Sequence, residues 1–196
     1  MILSDNSIAQ YCDSSSHRKM IVPFYANQIR TLELESGTIK IPSFGLSSYG
    51  YDIRLQPTFK IFNKPNDGRI IDVLNFKEEE MVELIEADSV IIPPGGLLLG
   101  VTMERFQMPA DVTGVCVGKS TWARLGAHVL VTPLEAGWSG ELVVEIANVT
   151  NLPLKIYAGV GIAQIQFFKG DKYCKTPYNS RDGKYDNQVG VTTAKL

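Results

Sequence analysis

Short runs of alternating apolar and polar residues recur along most of the chain, a pattern typical of half-buried β-strands. Turn-forming Gly, Pro, Asn and Asp residues separate these runs, as at residues 93–96 and 108–111. The predicted strands cover residues 51–55, 58–62, 97–102, 112–117, 141–147, 154–157 and 162–168. This spacing predicts a mainly β domain, built as a sandwich or a barrel.

Three segments depart from the strand pattern. Residues 4–12 predict a helix with Ser4 as N-cap, and they place Ile8 and Tyr11 on one face. Residues 120–126 predict a second, short helix that is closed by a glycine. From residue 176 onward the periodicity is lost, and we expect residues 176–196 to gain structure by lying over the rest of a single domain, residues 1–196.

Length and composition place the chain among globular proteins with one sizeable core. It has 196 residues, of which 44% are hydrophobic and 20% charged. A formal net charge of −2 argues against a nucleic-acid partner but leaves room for a small anionic ligand. The first residues lack a basic signal-peptide region, and Pro and Gly interrupt the longest apolar run. We therefore expect a soluble, cytoplasmic protein with no membrane partner.

Residues 118–121, Gly-Lys-Ser-Thr, match the last four positions of a phosphate-binding P-loop. A complete P-loop, G-x-x-x-x-G-K-[ST], would need a glycine at the position of Thr113. Residues 115–117 are apolar and largely β-branched, which indicates a strand where a P-loop has a glycine-rich turn. The spacing therefore argues against a P-loop NTPase, and the tetrapeptide must serve another site.

Residues 119–124 bring two cations and two hydroxyls close together. On one helical turn Ser120 and Arg124 lie side by side, so they could donate hydrogen bonds to a phosphate or a polar base. The alternative is a helix N-terminus that Ser120 or Thr121 caps, with solvated basic residues. The pattern leaves both interpretations open.

The segment 141–148 carries a glutamate among apolar residues. Alternation places Leu142, Val144 and Ile146 on one face and Val143 and Glu145 on the other. A partly buried glutamate at this position would suit proton transfer near neutral pH. The alternative is a solvated glutamate on the outer face of a sheet.

Together, these segments resemble the dCTP deaminase family, which has the dUTPase-like fold. The segments that carry the resemblance are residues 47–54 (SSYGYDIR), 118–126 (GKSTWARLG), 131–140 (VTPLEAGWSG), 144–145, 162–164, 178, 183–185 and 188–191. They cover most of the chain in the family's order. The resemblance implies a mainly β fold, a dUTPase-like distorted jelly roll or β-barrel with short helices. It also implies a homotrimer with pockets between subunits.

The implied reaction is hydrolytic deamination of dCTP to dUTP and ammonia, which supplies dUTP for dUMP and dTTP synthesis. Glu145 would carry protons from water to the base, while Ser120 and Arg124 would orient the water and stabilise charge. The implied substrate-binding residues are Lys119, Ser120, Thr121, Trp122, Ala123, Arg124, Glu135, Val143, Val144, Glu145, Gln164, Tyr178, Lys184 and Gln188. Zinc deaminases need H-x-E and C-x-x-C segments, which this sequence lacks, so no catalytic zinc and no protein-bound metal are expected.

The resemblance carries further expectations. Mg²⁺ would be bound with the triphosphate, dTTP would be an inhibitor, and residues 176–196 would close over bound nucleotide as a lid. Residues 63–88 match the family little and are interpreted as a surface insertion outside the site. Glu135 stands where relatives that hydrolyse dUTP tend to carry aspartate, and its longer side chain favours a deaminase that stops at dUTP.

Two other functions stay open at the level of sequence. One is a bifunctional deaminase–diphosphatase, which would release dUMP and pyrophosphate from dCTP. The other is a protein that binds nucleotides without catalysis. The second is disfavoured because Ser120, Arg124 and Glu145 are all present, and a binding protein has no need of a carboxylate that carries protons.

Overall fold

The computed structural model describes residues 1–13, 18–62, 68, 70–130 and 132–195. Strands dominate these residues, as the alternating pattern predicts. In chain order they are β1 Ile21–Val22, β2 Ile29–Leu34, β3 Gly37–Ser47, β4 Gly50–Phe62, β5 Val82–Glu86, β6 Ser89–Ile92, β7 Leu97–Gln107, β8 Val112–Gly118, β9 Ala127–Val129, β10 Thr132–Leu134, β11 Ser139–Asn148, β12 Leu154–Tyr157 and β13 Gly161–Lys169. The mainly β prediction is therefore confirmed.

Helical structure in the described residues is short. It comprises α1 Asp5–Cys12, α2 Glu78–Met81, α3 Ser120–Ala123 and one 3-10 turn, Tyr178–Ser180. The predicted helix at residues 4–12 is confirmed as α1 with Ser4 at the N-cap, although the Ser4 side chain makes no capping hydrogen bond. Within the described ranges, no helix has the length and apolar character needed to cross a membrane.

Eleven strands of the described chain form one antiparallel sheet. Its main path runs β10-β8-β13-β4-β7-β11-β9, while β1, β2, β3 and β5 pair at its sides. Strand β4 connects the two halves of this path: its first part pairs with β13 and its second part with β7. Because one long strand serves both halves, the sheet curls around a shared core that includes Ile53, Phe106, Val144, Ile165 and Phe167.

A buried ion pair fastens β4 to β7 inside this sheet. The Arg54 Nε donates to Glu104 Oε1 at 2.9 Å, and the Arg54 backbone N–H donates to Glu104 Oε2 at 3.0 Å. The guanidinium also lies against the rings of Tyr25 and Phe44, at 4.7 and 4.3 Å. Removing one member of such a pair typically costs about 3–5 kcal/mol, because the other charge stays buried alone. Arg54 is thus a structural member of the SSYGYDIR segment.

Two strand predictions need correction. Residues 51–55 and 58–62 form one strand, β4, because a register shift between Leu55 and Phe59 accommodates the intervening Pro57. The β2–β3 hairpin was missed, although residues 32–34 and 38–41 alternate between apolar and polar; much of the hairpin is exposed. Within residues 63–88, interpreted as a surface insertion, residues 82–86 form β5, a mostly exposed strand that pairs with β4. Residues 63–67 and 69 lie outside the described residues.

Candidate active site

The Gly-Lys-Ser-Thr tetrapeptide lies where β8 ends and α3 begins. Residues 112–118 are strand, so the structure confirms that no P-loop precedes it. Trp122 is buried, and its Nε1 donates to the Gly161 carbonyl at 2.7 Å, which fixes α3 against the start of β13. Gly126 ends the following turn with φ +83°, a left-handed conformation that favours glycine. The predicted short helix is therefore present and is held by its tryptophan.

A cleft of about 720 Å³ opens beside this tetrapeptide. Its side chains come from α3, β13 and the β2–β3 hairpin, and three of them are cationic. The polar side chains that line it include Arg30, Lys40, Lys119, Ser120, Thr121 and Gln164. We call this space the cationic cleft. Three cations and two hydroxyls can bind a polyphosphate through charge-assisted hydrogen bonds.

A buried carboxylate lies behind the cationic cleft. Asp52 is 1% exposed, and its Oδ2 pairs with Lys119 Nζ at 2.5 Å. Its two oxygens also accept hydrogen bonds from Gln28 and Gln164, at 2.9 and 3.0 Å. Two predicted substrate-binding residues, Lys119 and Gln164, are thus held from behind by one aspartate.

Strand β11 presents Glu145 on its outer face. Leu142, Val144 and Ile146 point into the main core, whereas Val143 joins a separate apolar cluster with Val191, so the predicted alternation is confirmed. Glu145 is half-buried on the same side as Val143. Its Oε2 accepts a hydrogen bond from Thr132 Oγ1 at 2.9 Å. This contact fixes one carboxylate oxygen and leaves the other for a ligand.

The C-terminal residues lie over the outer face of β11. The Trp138 indole donates to the Tyr185 carbonyl at 2.7 Å, and the Glu141 N–H donates to the Gln188 carbonyl at 2.9 Å. Val191 is buried against Val143 and two other apolar side chains. Residues 185–191 thus contact β11 and the Trp138 side chain that precedes it.

Two glycines of the VTPLEAGWSG segment make this covering possible. A Cβ on Gly137 would meet the Pro177 Cβ at 2.5 Å, and one on Gly140 would meet the Gln188 N at 2.9 Å. Gly137 also has φ +80°, a backbone conformation that residues with a side chain rarely adopt. The absence of side chains at these positions lets the C-terminal segment pass directly over the strand.

A second cleft, of about 540 Å³, lies between this segment and β11. Its residues include Thr132, Glu135, Val143, Glu145, Tyr178 and Gln188. We call it the tail-covered cleft. Glu135 forms an ion pair with Arg181, which anchors its carboxylate to the covering segment. The cleft combines an apolar wall with a few carboxylate, amide and hydroxyl groups, as small-molecule sites usually do.

The structure therefore divides the predicted site residues between two clefts of one chain. Lys119, Ser120, Thr121 and Gln164 line the cationic cleft. The predicted residues that line the tail-covered cleft are Glu135, Val143, Glu145, Tyr178 and Gln188. The remaining predicted residues line neither cleft: they are Trp122, Ala123, Arg124, Val144 and Lys184.

Burial explains two members of that last group. The side chains of Trp122 and Val144 are packed in the core, so only their backbone atoms could meet a ligand. Arg124 and Lys184, the latter in the covering segment, are both exposed, so their side chains can reach another molecule.

Backbone pairing shows how far Arg124 stands from Glu145. Leu130 N donates to the Glu145 carbonyl, whereas Val149 N donates to the carbonyl of Gly126, in the turn that follows Arg124. Val149 follows Glu145 by four residue steps along and just beyond β11, which corresponds to about 13 Å at roughly 3.3 Å per residue. Within one chain, the turn next to Arg124 and the Glu145 backbone are thus well separated.

The negative charge of Glu145 also affects the Cys116 thiol on β8. Burial, and then the negative charge of Glu145, raises the pKa of the Cys116 thiol to about 12. Cys116 also pairs with Thr132, the residue that holds the Glu145 carboxylate. The Glu145 carboxylate in the wall of the tail-covered cleft thus lies near the Cys116 thiol, which is protonated and unreactive because it is buried in the sheet.

Sequence reasoning missed several residues that shape the two clefts. They are Arg30, Lys40, Asp52, Thr132 and Arg181. Asp52 and Thr132 belong to the segments SSYGYDIR and VTPLEAGWSG, so their presence was visible but their contacts were not. Arg30 and Lys40 lie on the missed hairpin, and nothing in their local pattern indicated a site.

The described residues contain no group of three or more His, Cys, Asp or Glu side chains arranged to hold a metal ion. Asp52 is the carboxylate next to the cationic cleft, and Lys119, Gln28 and Gln164 already bind its oxygens. This donor set offers no open carboxylate to a cation in the cationic cleft.

Known proteins are similar to this chain both in sequence and in fold. Residues 2–170 match the model of the family described as dCTP deaminase-like. A dCTP deaminase of Protochlamydia amoebophila is 48% identical over 195 residues, which is 100% of this chain and 99% of that protein. A dCTP deaminase of Acinetobacter baylyi is 45% identical over 183 residues, 93% of this chain and 94% of that protein. The chain therefore belongs to the dCTP deaminase-like family.

A solved structure agrees at the level of fold. The crystal structure of 2′-deoxycytidine 5′-triphosphate deaminase from Agrobacterium tumefaciens superposes with a TM-score of 0.56 and 20% identity. The match covers 86% of this chain but about half, 48%, of that one. The predicted dUTPase-like deaminase fold is thus confirmed.

Proposed function

We propose that this protein is a dCTP deaminase, which converts dCTP and water to dUTP and ammonia. The observation that carries the proposal is the position of Glu145: a half-buried carboxylate, fixed by Thr132, in a cleft that the C-terminal segment covers. Full-length relatives of this family carry the name dCTP deaminase, which supports the substrate and the reaction.

The proposed reaction needs a group that carries protons. Water attacks C4 of the cytosine ring, and Glu145 accepts one proton and delivers it to N3. The second proton of the water passes through Glu145 to the amine as the C4–N4 bond breaks, so ammonia leaves and a C4 carbonyl remains. General acid–base catalysis of this kind typically contributes about 10²–10⁴-fold. Ser120 and Arg124 orient the water and stabilise developing charge.

The proposed site is composite. Glu145 belongs to the tail-covered cleft, whereas Ser120 lines the cationic cleft and Arg124 is exposed. We place these groups together between neighbouring copies in a homotrimer, where Lys119 to Arg124 of one copy approach Glu145 of the next. Exposed apolar side chains near both groups, Leu125 and Leu130, fit a contact surface of this kind.

Further parts of the proposal follow from the family. The protein acts in the cytoplasm, and dTTP inhibits it at the nucleotide site. Mg²⁺ would enter with the triphosphate as part of the bound substrate, next to Lys119 and Ser120 of the cationic cleft. Tyr178, Lys184 and Gln188 belong to the segment that closes over the nucleotide.

Product analysis tests the function directly. Purified protein is incubated with dCTP and Mg²⁺, and the nucleotides are separated by ion-exchange chromatography. We expect dUTP and ammonia in equal amounts, also when a zinc-selective chelator is present. Release of dUMP and pyrophosphate would show the bifunctional enzyme instead, and dCTP that binds without conversion would contradict deamination.

A single substitution tests the assigned residue. Glu145→Gln keeps the shape of the side chain but cannot accept the proton, so kcat should fall by at least about 100-fold with nucleotide affinity retained. Glu86→Gln, on the edge strand β5, is the matched control and should keep wild-type turnover. Retained turnover in Glu145→Gln would exclude the assigned proton transfer.

A further inference from the structure

Asp52 stands behind the cationic cleft and contacts two of its functional side chains. It is one of the few charged residues that the described chain buries, at 1% exposure. Its oxygens accept hydrogen bonds from Lys119, Gln28 and Gln164, and Ser43 lies at 3.4 Å. A carboxylate that binds so many donors holds each of them in one orientation.

The contact with Gln164 decides which way its amide points. An ionised carboxylate can only accept hydrogen bonds, so the Gln164 atom that faces Asp52 must be the amide nitrogen. That nitrogen donates to Asp52 Oδ1 at 3.0 Å and to Ser47 Oγ at 3.1 Å, which occupies both of its hydrogens. Among the described residues no hydrogen bond reaches the Gln164 side-chain carbonyl oxygen, and Gln164 lines the cleft. Its carbonyl is therefore the group left to meet a ligand.

The same aspartate positions Lys119. The ammonium donates to Asp52 at 2.5 Å and approaches Ser43 Oγ at 3.3 Å, which leaves one of its three hydrogens for a phosphate. Gln28 extends the network to the cleft: it donates to Asp52 and accepts from Arg30 Nη2 at 3.2 Å. The buried Asp52 thus holds a cation, Lys119, and a hydrogen-bond acceptor, the Gln164 carbonyl, side by side in the cleft.

We propose that Asp52 is a positioning residue for nucleotide specificity. It fixes the Gln164 amide so that its carbonyl accepts a hydrogen bond from the sugar hydroxyl of the nucleotide, beside the Lys119 donor for phosphate. The inference rests on the proposed function, because the ligand is the nucleotide of that reaction. It assigns Gln164 the role of an acceptor rather than that of a further phosphate donor.

The test compares dCTP with 2′,3′-dideoxycytidine triphosphate, which lacks the sugar hydroxyl. We expect the wild-type enzyme to favour dCTP in kcat/KM by at least about tenfold. The dideoxy analogue loses one hydrogen bond and leaves the Gln164 carbonyl unpaired, and a loss of this kind has about that effect. In the Asp52→Asn variant the Gln164 side-chain amide is free to rotate by half a turn, so this preference for dCTP should largely disappear. The change should appear in KM more than in kcat, since the hydroxyl is remote from C4.

Two further variants separate positioning from loss of structure. Gln164→Met removes the acceptor but leaves the Asp52–Lys119 pair, and it should lose the same preference. Because Asp52 acts through Gln164, combining the two substitutions should cause no further loss. The double variant should keep at least the preference for dCTP over the dideoxy analogue that either single variant keeps. Asp111→Asn, which breaks another Asp–Lys pair, with Lys169 at 3.5 Å, is the matched control and should keep the preference.

Each outcome decides the inference. An unchanged preference in Asp52→Asn or in Gln164→Met overturns it, and Gln164→Met remains a decisive test even where Asp52→Asn folds poorly. Failure of the wild-type protein to convert dCTP would instead contradict the proposed function. A wild-type enzyme that converts both nucleotides equally well would leave the function intact and exclude the acceptor role.

Discussion

The cationic cleft and the tail-covered cleft are built in different ways. In the cationic cleft the functional groups stand on a strand, a hairpin and the end of β8, and the buried Asp52 holds them from behind. In the tail-covered cleft, Glu145 stands on β11, but much of the remaining wall comes from residues 178–194. One cleft is fixed by the sheet, whereas the other depends on a segment that only lies over the sheet.

This difference indicates a division of labour. In the cationic cleft Asp52 holds Lys119 and Gln164 in place before any ligand arrives, which suits a phosphate site that needs little rearrangement. The cover of the tail-covered cleft is fastened to the rim of β11 by both backbone and side-chain hydrogen bonds, and we expect it to open and close over a bound base. In the proposed composite site, one copy would bind the phosphates and its neighbour would supply Glu145 as the proton carrier.

The largest expected effect comes from separating the two clefts between different chains. Glu145→Gln and Arg124→Ala should each lower kcat by at least about 100-fold. When the two variants are refolded together, a site can combine Glu145 from one chain with Arg124 from another. Random mixing should then restore about a quarter of the wild-type activity.

The assay for this complementation is dUTP formation by the mixed oligomer after size-exclusion chromatography. Each variant refolded alone is the control and should stay inactive. If the mixture is no more active than its components, the two residues act within one copy and the composite site is wrong.

The next effect is the removal of the cover. Deletion of residues 176–196 strips the tail-covered cleft of Tyr178 and Gln188 but leaves the sheet and the cationic cleft in place. We expect kcat/KM for dCTP to fall by at least about 100-fold, because the reacting base is then exposed to water. The oligomer should survive, as measured by size-exclusion chromatography and circular dichroism.

A shorter deletion gives the matched control. Removal of residues 195 and 196 keeps the contacts of Tyr185, Gln188 and Val191 with the rest of the molecule, so activity should persist. An active enzyme after the long deletion would show that the segment covers the cleft without contributing to the reaction.

The smallest effect concerns the thiols and distinguishes the fixed sheet from the detachable segment. Burial raises the pKa of Cys12 to about 12, and burial together with the Glu145 charge does the same for Cys116, whereas Cys174 is exposed. A thiol reagent near neutral pH should therefore modify one cysteine of the native chain and three after denaturation. The count should not change when residues 176–196 are deleted, because the sheet itself buries Cys116.

The same thiols set an alkaline limit on stability. Their folded pKa of about 12 lies above the ordinary pKa of a cysteine thiol, so the neutral form stabilises the fold below about pH 9. That contribution is lost as pH rises toward 12, so the free energy of unfolding should fall steeply over this range. Denaturant titrations at increasing pH measure it, and a flat profile would contradict the burial of these groups.

Much of the fold was predictable because its signals are local. The alternation at residues 141–147 placed Val143 and Glu145 opposite Leu142 and Val144, and the structure agrees. The helix at residues 4–12 and the glycine-closed turn at residue 126 follow from capping preferences that act within a few residues. The β2–β3 hairpin was missed because its alternating runs are short and most of its side chains are not buried.

By itself, the sequence determined the long strands β4, β7, β8, β11 and β13, the presence of Ser120, Arg124 and Glu145, and the family that these segments define. Only the tertiary structure decided that Ser120 and Glu145 lie in different clefts, that Thr132 holds Glu145, and that Asp52 holds Lys119 and Gln164. The reason is physical: periodicity and capping depend on neighbours along the chain. Each of these contacts instead joins residues far apart in sequence, which only the pairing of the strands brings together.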